Sequence, residues 1–137
     1  VIAFICSCAN NKKYSTRDSW KKTDIRIYHQ HWNITDDSVN FFIHIDSPIN
    51  HFIFTKNIDH FHTNIIYTLV VYHTDNNNQI YRESWVEKVV QQYYEDTRNP
   101  DKYISTEKNI PLASGSYQLS LNIQDQDSKK NWQYRNL

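Results

Sequence analysis

Tyr117-Gln118-Leu119-Ser120-Leu121-Asn122-Ile123 alternates without a fault. Tyr117, Leu119, Leu121 and Ile123 fall on one side of an extended chain, and Gln118, Ser120 and Asn122 on the other. A period of two is the mark of a half-buried strand. The segment follows Pro111-Leu112-Ala113-Ser114-Gly115-Ser116, which reads as a turn.

Working outward, the same alternation recurs. Val39, Phe41, Ile43 and Ile45 are expected to face a core, with Asn40, His44 and Asp46 outside. Ile25 and Ile27 alternate with Arg26 and Tyr28. The segment from Asn64 to His73 is apolar on both faces, as a central strand is, and Asp75-Asn76-Asn77-Asn78 then reads as a turn. Asn takes left-handed conformations there in place of Gly. Gln79 to Val86 is expected to return as a hairpin partner, and His51 to Lys56 is a short strand candidate. Asp125 to Lys130 reads as a turn before a last strand from Asn131 to Leu137. The sum is about seven strands.

One stretch competes with this reading. Ser84-Trp85-Val86-Glu87 resembles a capping box, and Val86, Val89, Val90, Tyr93 and Tyr94 follow at helical spacing. The β-branched residues and paired tyrosines weigh toward strand, so a strand is expected through 85–95. Gly115, one residue, then Tyr117 entering a strand resembles the tyrosine corner of immunoglobulin-like sandwiches. The expected fold is therefore an all-β, immunoglobulin-like or fibronectin-III-like β-sandwich.

Composition narrows the function. The chain has 137 residues, with 15 basic and 15 acidic side chains and a formal net charge of zero. Nucleic-acid binding needs an electrostatic surplus, and so does a polybasic membrane surface; neither is expected. Only one Gly is present, which leaves no glycine-rich phosphate loop.

The start of the chain reads differently from the rest. Val1-Ile2-Ala3-Phe4-Ile5-Cys6-Ser7-Cys8 is apolar and far too short to span a bilayer. Ile5-Cys6-Ser7-Cys8 resembles the bacterial lipobox: an aliphatic residue, a free position, a small residue, then Cys. On that reading residues 1–8 end a signal peptide and Cys8 carries the lipid anchor. Residues 9–22 form a polar tether and residues 23–137 the folded domain, a piece of a longer protein. More than one acyl chain makes such attachment stable.

Candidate site residues are few. His29 and His31 are two apart, as are His60 and His62, so each pair would share a strand face and offer ligands for Zn or Cu, with Asp59 or Asp24 adding an oxygen. The competing reading is surface and edge-strand histidines. A Cys–His nucleophile needs a thiol in the domain, and both cysteines lie at the tether. Glu95-Asp96 and Asp36-Asp37 fall in expected turns, where charge is solvated. Trp20, Trp32 and Trp132 are candidates for stacking on sugar rings, while Trp85 is expected in the core. No cofactor is expected.

From Val39 to Lys130 the order of segments resembles the N-terminal region of GWxTD-domain lipoproteins of Bacteroidetes and related bacteria. Tyr67-Thr68-Leu69-Val70-Val71-Tyr72 resembles that family's central strand, and Glu83-Ser84-Trp85 the opening of its next strand. Tyr94-Glu95-Asp96-Thr97-Arg98-Asn99 with Lys102-Tyr103-Ile104 resembles its strand-linking loop. Gly115-Ser116-Tyr117 and Asp127-Ser128-Lys129-Lys130 follow in order. The motif that names the family is absent, since Ser follows the single Gly. The resemblance implies a β-sandwich lipoprotein of the bacterial envelope, held at the outer membrane by its lipid; with no reactive constellation in the sequence, a non-enzymatic role is expected. Its role is a scaffold or a protein-interaction module with an envelope partner; the alternative is a carbohydrate-binding module. No small-molecule ligand is implied.

Overall fold

A computed structural model of the chain describes residues 24–135 and Leu137. Cys8, Ile5, Cys6 and Ser7 of the expected lipobox, and Trp20, lie outside the described residues. The described residues divide into two compact units, one through Ser47 together with Ile104–Gly115, the other Pro48–Tyr103 with Ser116–Leu137.

The first unit holds a three-stranded antiparallel sheet in the order β1-β2-β6: β1 is Arg26–Thr35, β2 Ser38–Pro48 and β6 Tyr103–Ala113. β2 alternates as expected, burying Val39, Phe41, Ile43 and Ile45. β1 pairs with it from Arg26↔Asp46 to Thr35↔Ser38, and the Asp36-Asp37 pair forms the turn between them.

The second unit holds a five-stranded antiparallel sheet. β4 (Phe61–His73) is its centre. It pairs along one edge with β5 (Gln79–Gln91) and along the other with β7 (Tyr117–Asp125) and the two-residue β3 (Thr55–Lys56). β8 (Asn131–Arg135) pairs with β7. One face of this sheet is buried: Ile65, Tyr67, Leu69 and Val71 of β4 lie opposite Asp125, Ile123, Leu121 and Leu119 of β7. The other, open face carries Gln118, Ser120 and Asn122, so the alternation of the 117–123 segment is met residue by residue.

Two antiparallel sheets of eight strands are consistent with an all-β sandwich. The seven strands longer than β3 take, in chain order, the A, B, C, C′, E, F and G places of the immunoglobulin-like pattern. A, B and E form one sheet and C′, C, F and G the other. Tyr117 opens the F-type strand. Its ring lies 4.9 Å from that of His73, its partner across the ladder. Ser116 O accepts from Thr74 N and Thr74 Oγ1, both at 3.1 Å.

Four expectations are corrected. Residues 103–113 form strand β6, not a loop and a turn. Its inward positions include Thr106 and Lys108 between Ile104 and Ile110, which breaks the apolar alternation, and Pro111 is tolerated because β6 is an edge strand. The strand through 85–95 stops at Gln91, and Tyr94–Thr97 forms one helical turn, α1, closed by Thr97 Oγ1 donating to Tyr94 O. The 51–56 strand shrinks to β3, preceded by a 3-10 turn at Ile49–His51. β1 runs to Thr35, well past Tyr28. The expected hairpin turn holds, with Asn77 at φ 56°.

The buried face of β7 ends on a charge. Asp125 is fully buried, and its carboxylate is met by backbone donors: Ile53 N at 2.7 Å on Oδ2, Asp127 N at 3.0 Å and Ser128 N at 3.4 Å on Oδ1. This carboxylate fixes the β7–β8 turn and pins the 52–54 segment to it. Asp125→Ala orphans these donors and is expected to cost about 2–4 kcal/mol in urea unfolding. Asp125→Asn, which keeps one acceptor oxygen, is expected to cost less.

Candidate functional site

A connected polar cluster crosses β2 and β6. His44 Nδ1 lies 2.8 Å from Glu107 Oε1, and its Nε2 lies 2.8 Å from Asp46 Oδ1. Ser105 Oγ donates to the same Asp46 oxygen at 2.6 Å. Burial of the ring opposes its charge, but the bonds to Glu107 and Asp46 outweigh that and raise the His44 pKa above the ordinary 6.5. The residue types are those of a hydrolytic triad, but the wiring is not. A triad needs the serine on the imidazole, and here both ring nitrogens face carboxylates while Ser105 bonds Asp46. The cluster holds two strands together as a charged clamp.

The histidine pairs singled out for metal stay pairs. His29 is half-buried beside Phe41, ring to ring at 5.6 Å, and burial with nearby His31 lowers its pKa. His60 and His62 rings lie 5.9 Å apart. His60 Nδ1 is 2.7 Å from Asp59 Oδ1, and that bond holds the Asp59 carboxyl below its usual range. His60 and His62 line a hollow of about 230 Å³ with Asn57, Lys88 and Val90. Among the described residues, no group of three or more His, Cys, Asp or Glu is gathered for a metal ion.

The tryptophans divide by role. Trp85 stacks on the buried Tyr67 at 5.5 Å and 13°. Trp132 stacks on His51 at 5.6 Å, meets Phe52 edge-on at 5.3 Å, and has Lys130 Nζ 5.1 Å from its ring centre. Both are packed within the second unit, which leaves Trp32, exposed on β1, as the open indole among the described residues.

Two surfaces were not foreseen. A cleft of about 350 Å³ is lined by Phe52, Ile53, Phe54, Tyr94 and Arg98. Arg98 Nη1 donates to Tyr94 Oη at 3.0 Å, with the guanidinium 5.9 Å from that ring's centre. The second surface is β5, which has 13 residues and, among the described residues, a single strand neighbour, β4. Ile80, Val86 and Val90 stand exposed along it. Its alternate residues sort charge by face, with Arg82 and Lys88 on the open side and Glu83 and Glu87 on the other. Tyr81 bonds Glu83, and burial together with that bond pushes the phenol up to about 12. The return of Gln79 to Val86 as a hairpin partner was legible in the sequence; the place of β5 at the sheet edge is a product of topology.

No helix among the described residues is long and apolar enough to cross a membrane. Compared with protein-family models, curated proteins and solved structures, the chain matches none.

The His44 clamp carries a pH signature. A raised folded-state pKa means its stabilisation is whole below about 6.5 and is lost as pH rises through the folded value. The stability difference between the wild type and His44→Gln, from urea titrations between pH 5.5 and 9, should therefore shrink with rising pH. A constant difference would mean that the ring is uncharged.

Proposed function

We propose that this chain is a non-catalytic, lipid-anchored domain of the bacterial envelope that binds a protein partner along strand β5. The observation that carries the reading is the β5 edge. A 13-residue strand with one strand neighbour among the described residues and three exposed apolar side chains invites a further strand. Edge strands not used for binding are usually short or guarded by Pro or inward charges. β5 is long and has no Pro; the charges along it are Glu83 and Glu87 on the inward side and Arg82 and Lys88 on the open side.

Several sequence features support the same role. The lipobox at Ile5-Cys6-Ser7-Cys8 supplies an anchor, and residues 9–22 supply reach. The zero net charge leaves no electrostatic surplus for a nucleic acid as the principal partner. The order of segments shared with GWxTD-domain lipoproteins points to the same compartment. A scaffold domain held at the outer membrane needs a docking edge and no reactive centre.

Two measurements test this. Mass spectrometry of the native N-terminus should find Cys8 as the first residue, carrying acyl chains; an unmodified Cys8 removes the anchor. A photo-crosslinking residue at Val86 or Val90 in the native host should yield one discrete heavier adduct, and the same residue at Asn76 none. Charge introduced at a neighbouring β5 position, as Val90→Lys with the crosslinker at Val86, should abolish the adduct. Equal yields at Val86 and Asn76 would rule out β5 as the docking edge.

A further inference from the structure

The open face of the five-stranded sheet is ordered by the strand registers. Ser84, Thr68, Asn122 and Gln133 lie side by side across β5, β4, β7 and β8. Thr68 Oγ1 and Ser84 Oγ bond at 2.8 Å. In the next row, Arg82, Val70, Ser120 and Arg135 lie in the same order, and Tyr72 beside Gln118 follows. This face thus offers hydroxyls, carboxamides and two guanidinium groups in neighbouring rows.

Its charge is one-sided. Arg82, Arg135 and Lys88 stand on it, and no strand position of the open face is Asp or Glu. A neutral chain would not produce this by composition alone; β5 achieves it by turning Glu83 and Glu87 to the other side. Arg82 and Arg135 are exposed, and neither pairs with a carboxylate among the described residues. Three strand spacings separate them, roughly 14 Å. A hollow of about 290 Å³ lies at one end of the face, lined by Tyr72, Asn77, Gln118, Leu119, Ser120 and Arg135.

We propose that this face binds an acidic oligosaccharide, a chain of sugars bearing carboxylate or sulfate groups. Each part of the face has a counterpart in that ligand. Carboxamides and hydroxyls both donate and accept, as sugar hydroxyls require. The Tyr72 ring, at the hollow, offers an apolar surface for the C–H side of a pyranose. Arg135, in the same hollow, binds an acid group in bidentate fashion, and Arg82 meets a second one further along. Arg82 and Arg135 are rooted three strands apart, further than one sugar ring spans, so the ligand is an oligomer. Three cations on a broad amide-rich face are too sparse for a nucleic-acid backbone, whose phosphates demand a denser field. Arg82, Ser84 and Lys88 alternate along β5 with Val86 and Val90 on this same face, so the site adjoins the protein-docking edge; Arg135, on β8, tests it separately from that edge.

Calorimetry on the whole chain tests this with three probes: oligogalacturonate, a heparin hexasaccharide and neutral cellohexaose. Binding of one or both acidic probes and none of the neutral one is expected, and the stronger acidic probe tells carboxylate from sulfate. Arg135→Gln should weaken binding by about tenfold. Tyr72→Ala should weaken it by a similar factor, about tenfold, at unchanged charge. Lys129→Gln, a cation in the β7–β8 turn, should leave it unaltered. Thermal melts matching the wild type establish that the variants are folded; Arg135 is exposed, so its variant keeps the test alive if Tyr72→Ala unfolds. The proposal is overturned if neither acidic probe binds, or if Lys129→Gln weakens binding as much as Arg135→Gln. Equally tight binding of a thymidine oligonucleotide would overturn it too, since the face would then read charge alone.

Discussion

The structure depends on one buried row. Ile65, Tyr67, Leu69 and Val71 of β4 and Leu119, Leu121 and Ile123 of β7 share a face that water does not reach. Burying such side chains contributes about 1.5–3 kcal/mol each before entropy is counted. Because strand side chains alternate with a period of two, a slip of one residue would exchange this row for Gln118, Ser120 and Asn122. The register of β4 with β7 is therefore set by hydrophobicity, and the register of β5 and β8 follows from it.

The same periodicity has an electrostatic consequence. Position 125 continues the buried row, and it is an aspartate. A buried carboxylate is tolerated only when donors surround it. Here the backbone of the following turn and of the 52–54 segment supplies them. The first unit handles charge in another way, with His44 placed between Asp46 and Glu107 near the surface. In one unit a loop wraps a single charge; in the other, opposite charges meet across neighbouring strands.

Much of this was legible in the sequence. The alternation in 39–46 and 117–123 marks two strands correctly, and the two-faced apolar run 64–73 marks the central one. The Asn-rich turn was visible because Asn accepts a positive φ. β6 was not, because Thr106 and Lys108 occupy inward positions and a proline sits near its end. That gap hid Glu107 and Ser105, and with them the His44 cluster, although His44 and Asp46 were already placed on one side of β2. Trp132 illustrates the converse difficulty. An indole in a polar segment reads as a surface platform, whereas its contacts with His51 and Phe52 depend on chain brought from eighty residues away. The open face of the sheet is a property of four strands at once, and no single segment announces it.

The charge sorting of β5 has a physical meaning beyond any contact. A formal net charge of zero gives the chain no overall drift toward a charged layer. A sheet with Arg82, Lys88 and Arg135 on one side and Glu83 and Glu87 on the other still has a dipole across its thickness. Such a dipole feels a torque in the field of an anionic surface, which reaches about a Debye length into solution. The sheet would then arrive already turned, cationic face first, and high salt would remove that bias without changing the fold.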